Sequence, residues 1–290
     1  VGGVYAWSEF ALRLTASFGY SQGQGGLLFG AMIATFTIVM VPGGRLLARW
    51  GPRRTAGLGA LLFGAGYLAA SLSADRYPLL LLSLGGLTGA GIGLVYLCPM
   101  TVGMRWFPRH RGLVTGLMAG GFGAGAMLKS ALMGLLFDRL GLSVPEAFRV
   151  VALGLGSLAL LAALLLSEPG REEEGAGVAP GVAPGVAPGV PSGTVPTVSR
   201  SAVFLLTLGL FLGTGSGLLI VGHLKALSLA AGLPDIQAAL AVSVFSLGNA
   251  GGRILWGRLQ DRLGGERGLR LAMLSLCAGL LLLLPAALSP

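Results

Sequence analysis

Nine long apolar runs, at roughly residues 1–17, 25–47, 55–73, 79–103, 112–137, 147–167, 201–224, 236–258 and 268–288, leave this chain few folds to choose from. Each is about the length an α-helix needs to cross the hydrocarbon core of a bilayer, roughly 17–25 residues. Inside that core every backbone N–H and C=O must be paired within the protein, so runs this long and evenly apolar are expected to be helices. The composition agrees: 54% of the residues are hydrophobic, 11% are charged and the mean hydropathy is +0.82. A water-soluble domain carries about 25% charged residues. The expected fold class is therefore an all-α membrane protein. The 51 glycines suit helices that approach each other through small side chains.

A net charge of +9 would by itself suggest a nucleic-acid partner, but the positions of the charges argue otherwise. Thirteen of the 20 Lys and Arg residues fall in alternate loops, after spans 2, 4, 6 and 8. The opposite loops hold Arg76, Arg139, Arg149 and Lys225, and Arg13, Lys129 and Arg253 lie within spans. This asymmetry is the positive-inside pattern, which predicts a multi-pass protein of the plasma (inner) membrane with the Arg-rich loops in the cytoplasm. The bilayer is then the expected partner, with no nucleic acid and no obligate protein partner. Cys98 and Cys277 lie in apolar spans without a CxxC or a histidine companion, so neither a disulfide nor a metal site is indicated.

Between spans 6 and 7 the composition changes abruptly. Residues 168–200 form a Pro/Gly linker with a GVAP tetrapeptide repeat, expected to be a cytoplasmic, disordered tether. It divides the chain into a six-span part, 1–167, and a three-span part, 201–290. Each part carries a related loop after its second span, "GGRLLARWGPRR" (43–54) and "GRILWGRLQDRLGGERG" (252–268). Internal repetition of this kind is how many secondary transporters are built.

The paired loops resemble those that mark the major facilitator superfamily after helices 2 and 8 of its twelve-helix bundle. More narrowly, "YAWSEF" (5–10), "GPRR" (51–54), "GAGIGLVYLCPMTVGMRWFPRHRGLVTGL" (89–117) and "GGFGAGA" (120–126) are similar to the oxalate:formate antiporter family and its monocarboxylate-transporter relatives. The resemblance implies that nine of twelve helices are present. It also implies that the start of helix 1 and helices 10–12 lie outside the chain, in keeping with a first residue, Val1, that falls inside an apolar run.

An arginine inside a span is costly and is expected to be functional. Ser246, Asn249 and Arg253 share one helix face at i, i+3 and i+7, and such a polar stripe lines a cavity at less cost than it faces lipid. The competing reading is that Arg253 snorkels to the headgroups. The guanidinium pairs bidentately with a carboxylate and keeps its charge. In the resembled family the matching helix 8 arginine binds the carboxylate substrate. Lys129, where the family has an apolar residue, is read either as a second cavity cation or as a snorkelling or water-facing lysine. Tyr5 and Tyr96 match positions of cavity tyrosines in that family. Glu9 and Arg13, at i and i+4, are expected to form an intrahelical pair, with proton coupling through Glu9 as the alternative. For gating, the resemblance implies that Asp261 faces a helix N-terminus of the other half near Arg111 and Gly112. The first loop supplies Arg49 and Arg53 but has Ala48 where the family has an acid.

The glycine patterns at 89–93 and 120–126 follow no strand and lack an acidic ribose partner, so they are read as packing surfaces rather than nucleotide loops. No catalytic constellation is present and no cofactor is expected, so an enzyme is not expected. The expected function is secondary transport of a small organic anion, a carboxylate of the oxalate/formate or monocarboxylate type, by alternating access, with an exchanged anion or a proton as counterpart. A transporter-like receptor for an organic anion and a drug/proton antiporter are the alternatives; cavity cations argue against the second.

Overall fold

The computed structural model describes residues 7–168, 199, 201, 204, 208, 224, 225 and 227–288, and among these every regular element is helical. Helix α1 is Trp7–Phe18. The segment Gln22–Leu72 is continuous except at Gly51, whose φ of 75° and ψ of 172° break it into two arms, α2 (22–50) and α3 (52–72). Only glycine adopts such a φ without strain, and Pro52 then starts the second arm at a position that needs no N–H. Helix α4 is Tyr77–Trp106, α5 covers 111–139 and α6 is Val144–Leu165. The described helical residues 227–230 are α7, followed by α8, Asp235–Leu263, and α9, Gly265–Leu288.

Among the described residues, α1 to α6, α8 and α9 coincide with eight of the nine apolar runs to within a few residues, with one informative exception. The apolar run of span 8 stops at 258, where the charges begin, yet α8 continues through Arg258, Asp261 and Arg262 to Leu263. Gly264, at φ 80°, closes it. Apolarity marks where a helix leaves the bilayer, not where its backbone hydrogen bonds end. Asp261 is therefore held on the last turn of a rigid helix rather than in a loop. The linker 169–198, residue 200 and most of span 7 lie outside the described residues.

Two clusters hold the six-helix part together. The larger one gathers Trp7, Phe10, Leu28, Met32, Phe63, Tyr67, Leu84, Met133 and Phe148 from α1 to α6. The smaller, toward the Arg-rich end, joins Leu47, Ala56, Cys98 and Ala163. Phe10 stacks on Phe148 at 5.0 Å between ring centroids and meets Phe137 edge-on at 5.9 Å. The glycines at 89–93 allow α4 to wedge between α2 and α3. A Cβ at Gly89 would lie 2.7 Å from the Met32 carbonyl of α2, and one at Gly91 would lie 2.6 Å from the Gly59 carbonyl of α3. Outside these contacts the helices expose Ile38, Val41, Leu61, Leu82, Leu153, Leu161 and many similar side chains. Apolar surface on that scale is stable only against lipid.

Candidate functional site

The seam between the two parts is built from small residues. Gly112, Gly116 and Gly120 repeat every four positions along α5, so they form one face of that helix. They receive Gly257, Arg253 and Ala250 of α8 in the reverse order. A side chain at Gly116 would collide with the Arg253 carbonyl, one at Gly257 with the Gly112 carbonyl, and one at Gly120 would lie 3.0 Å from the Ala250 carbonyl. The two backbones are therefore in direct contact, which helices achieve only where side chains are absent or minimal. At the Arg-rich end the seam closes on Asp261. Gly112 N–H donates to its Oδ1 at 2.8 Å and Leu113 N–H to its Oδ2 at 2.7 Å. Helix α5 has no acid in its first turn, and His110 at its N-cap makes no side-chain cap. A residue of α8 thus caps α5 from the other part of the chain.

At roughly 100° per residue, the side of α8 away from this seam divides into two flanks. One carries the exposed Leu240, Val244, Leu247 and Leu255 and is the apolar flank. Ser246, Asn249 and Arg253 project roughly 120–180° from most of these leucines, on the opposite flank. Arg253 Nε donates to Asn249 Oδ1 at 3.0 Å, while the buried Ser246 hydroxyl bonds back to the Val242 carbonyl at 2.8 Å. Asn249 therefore anchors the guanidinium by Nε and leaves the paired Nη edge, the one that recognises carboxylates, directed away from the anchor. Arg253 itself is exposed, so the bond to Asn249 orients the guanidinium without burying it.

A family model described as Major Facilitator Superfamily matches residues 4–290. The chain belongs to the Major Facilitator Superfamily. Over 296 aligned residues it is 28% identical to the uncharacterized MFS-type transporter YhjX of Escherichia coli (strain K12), covering 100% of this chain and 70% of that protein. It is similar to the oxalate:formate antiporter of Oxalobacter formigenes at 28% identity, covering 90% of this chain and 60% of that one. It is also 32% identical to human monocarboxylate transporter 11 over 76% of this chain and 44% of that protein. The chain thus spans 60% and 44% of the length of these two carboxylate-named relatives.

Within this superfamily bundle the remaining candidates fall in different places. Lys129 is not beside Arg253. It is 6% exposed, inside the core of the six-helix part, where Nζ donates to the Tyr67 hydroxyl at 2.7 Å and sits over the rings of Phe10 and Tyr67 at 5.0 and 5.1 Å. It lies thirteen residues along α5 from Gly116, the neighbour of Arg253, or roughly 20 Å of helix rise. One small anion cannot touch both Lys129 and Arg253 across that gap, and the burial of Lys129 keeps its ammonium from the headgroups. Two aromatic rings and the phenol oxygen of Tyr67 supply part of what water would have supplied, through cation–π attraction and a hydrogen bond. Tyr67 gave no signal in the sequence because an isolated tyrosine in an apolar span reads as packing.

Tyr96 is half-buried and packs edge-on against Phe36 at 5.6 Å, between α4 and α2. Tyr5 and the side chain of Glu9 lie outside the described residues. Among the described residues, the Arg13 guanidinium bonds the Asp138 carboxylate at the end of α5 and lies 4.6 Å over the Phe137 ring. The widened final turn of α5, 135–139, brings an acid to α1 that helical spacing alone could not foresee.

At the Arg-rich end, Arg53 Nε donates to the Leu166 carbonyl at 2.6 Å and Trp106 Nε1 donates to Ser167 O at 2.9 Å. Both satisfy carbonyls at the end of α6, so Arg53 braces the six-helix part internally. Arg49 is exposed, and Arg111 stands half-buried at the first position of α5 beside the Asp261 contact. Arg109, His110, Leu113, Arg258, Asp261 and Arg262 surround a cavity of about 320 Å³ there.

Proposed function

We propose that the protein is a secondary transporter of small carboxylates, working by alternating access of its two parts around a site that includes Arg253. The observation that carries this reading is the guanidinium of Arg253, anchored by Asn249 on the flank of α8 turned away from the exposed leucines. A planar, permanently charged fork selects planar oxyanions, and the printed names of two relatives, an oxalate:formate antiporter and a monocarboxylate transporter, point to the same chemistry. Tyr96 and Tyr5 are the wall candidates, and Glu9 is the candidate for proton coupling if the counterpart is a proton rather than an exchanged anion. The plasma membrane, the cytoplasmic placement of the Arg-rich loops and the tether role of 168–200 belong to the same proposal, supported by the charge asymmetry of the loops.

Asp261, reaching α5 at the Arg-rich end, supports a state closed toward that side, with Asp261 and Arg111 as gating residues. Labelled oxalate, formate and lactate binding to purified full-length protein tests the reading. Arg253→Ala is expected to weaken binding of the preferred anion by tens of fold, since truncating one partner of a desolvated charge pair costs about 2–5 kcal/mol. Arg253→Lys should recover only part, because an ammonium lacks the fork. Equal affinity in all three proteins would place Arg253 outside the site.

A further inference from the structure

The cavity at the Arg-rich end has no part in the carboxylate site, and its charge is unbalanced. Arg109, Arg258 and Arg262 make no ion pair among the described residues. Asp261 is the one acid in its lining, and both of its oxygens are already taken by the Gly112 and Leu113 N–H groups. Three guanidinium groups against one carboxylate leave a net charge of 3 − 1 = +2 around a space of about 320 Å³, before His110 is counted. Such a cavity calls for an anion, and arginine forks suit phosphate oxygens in particular.

The position of the cavity says where that phosphate comes from. Arg258 follows the exposed Leu247 by eleven residues and Arg262 follows the exposed Leu255 by seven, three and two helical turns on. Both arginines therefore continue the leucine row on the apolar flank of α8, beyond its last leucine. On α5, Leu113 in the lining stands one turn before the exposed Leu117 on the same flank. An apolar face that ends in a basic cavity is the outline of a phospholipid, with the acyl chains along Leu117 and Leu255 and the headgroup among the arginines.

We propose that this cavity binds the phosphate of an anionic glycerophospholipid. Because Arg109, His110 and Leu113 come from the six-helix part and Arg258, Asp261 and Arg262 from the other, a bound lipid touches both parts and favours the state in which α5 and α8 are packed together at this end. The inference rests on the bundle lying in a membrane and does not depend on the identity of the substrate.

The test uses purified full-length protein in detergent, titrated with dioctanoyl phosphatidylglycerol, dioctanoyl phosphatidylcholine or inorganic phosphate, with the thermal unfolding midpoint as readout. Phosphatidylglycerol is expected to raise the midpoint saturably and phosphatidylcholine is not. The variant Arg109→Gln/Arg258→Gln/Arg262→Gln should bind phosphatidylglycerol about tenfold more weakly or worse, while Arg45→Gln/Arg54→Gln, which removes two exposed charges from the first loop, should bind it normally. If the triple variant is unstable, Arg258→Gln and Arg262→Gln singly carry the test, each with a smaller loss in the same direction. Unchanged phosphatidylglycerol affinity in these variants, or an equal shift from phosphatidylcholine, overturns the proposal. An equal shift from inorganic phosphate at the same concentration also overturns it, by making the cavity a site for soluble anions.

Discussion

Replacing Asp261 with alanine should open the Arg-rich end of the bundle, and the size of the effect can be worked from its contacts. The carboxylate accepts two backbone N–H groups of α5, at 2.8 and 2.7 Å, that have no partner within their own helix. A side-chain cap of this kind contributes about 1 kcal/mol, and an acid at a helix N-terminus adds about 0.3–1 kcal/mol. Asp261 is exposed, so the larger values that apply to buried charge-assisted bonds are not used. A loss of about 1–2 kcal/mol changes the closed-to-open ratio by about 5–30-fold. The charges left behind act with the same sign, since Arg109 of one part then faces Arg258 and Arg262 of the other without the acid between them.

Spin labels on Arg54→Cys and Arg267→Cys, both exposed at this end and one in each part, report the ratio directly. Cys277 is replaced by serine, and the buried Cys98 can stay. Asp261→Ala should enlarge the long-distance population by the factor above. Asp261→Asn, which keeps one acceptor oxygen and loses the charge, should fall between the two. An unchanged distance distribution in Asp261→Ala would show that the contact does not hold the two parts together, whatever its geometry.

Gly116→Val should disturb the same equilibrium more strongly than Asp261→Ala, because a side chain there meets the Arg253 backbone rather than a movable group, and overpacking costs about 1–3 kcal/mol. Gly121→Val, where nothing lies within reach of an added Cβ, is the control, and equal distance distributions for the two variants would refute the seam. Lys129→Met should leave anion affinity within about twofold, and its stability effect should couple to that of Tyr67→Phe by about 0.5–3 kcal/mol in thermal unfolding. A loss of tens of fold in anion affinity would return Lys129 to the substrate site.

The spans were legible because lipid imposes a length and a composition on any helix that crosses it. The contacts between spans were less so. The stretches 89–93 and 120–126 stand out by glycine density, yet the closest approach of the two parts uses Gly112, Gly116 and Gly120, only the last of them in either stretch, spaced by one turn. Period, not density, was the signal. The position of Asp261 opposite the start of α5 was implied by the superfamily resemblance rather than by spacing, and the distances to Gly112 and Leu113 give that contact its geometry. Lys129 and Arg13 could not be placed, because their partners, Tyr67 and Asp138, come from helices 62 and 125 residues away in sequence. Nothing in one sequence orients one helix against another at that range. The basic cavity escaped notice for the opposite reason: its arginines looked like ordinary members of a positive-inside loop until α8 was seen to extend beneath them.

Arg253 joins the two functions proposed for this bundle in one residue. Its side chain stands on the flank of α8 opposite the apolar one, tied to Asn249, while its own carbonyl fills the space left by Gly116 in the seam. An anion that draws on the guanidinium therefore acts on the turn of α8 whose backbone is in contact with α5. Backbone contact across glycines leaves few interlocking side chains to disengage, Ile254 over Gly120 being one, so separating α5 and α8 costs mainly lost dispersion and the Asp261 cap. That keeps the two arrangements within a few kcal/mol of each other, a gap that the binding energy of one small anion at Arg253 is large enough to reverse, provided that it binds one arrangement more tightly than the other.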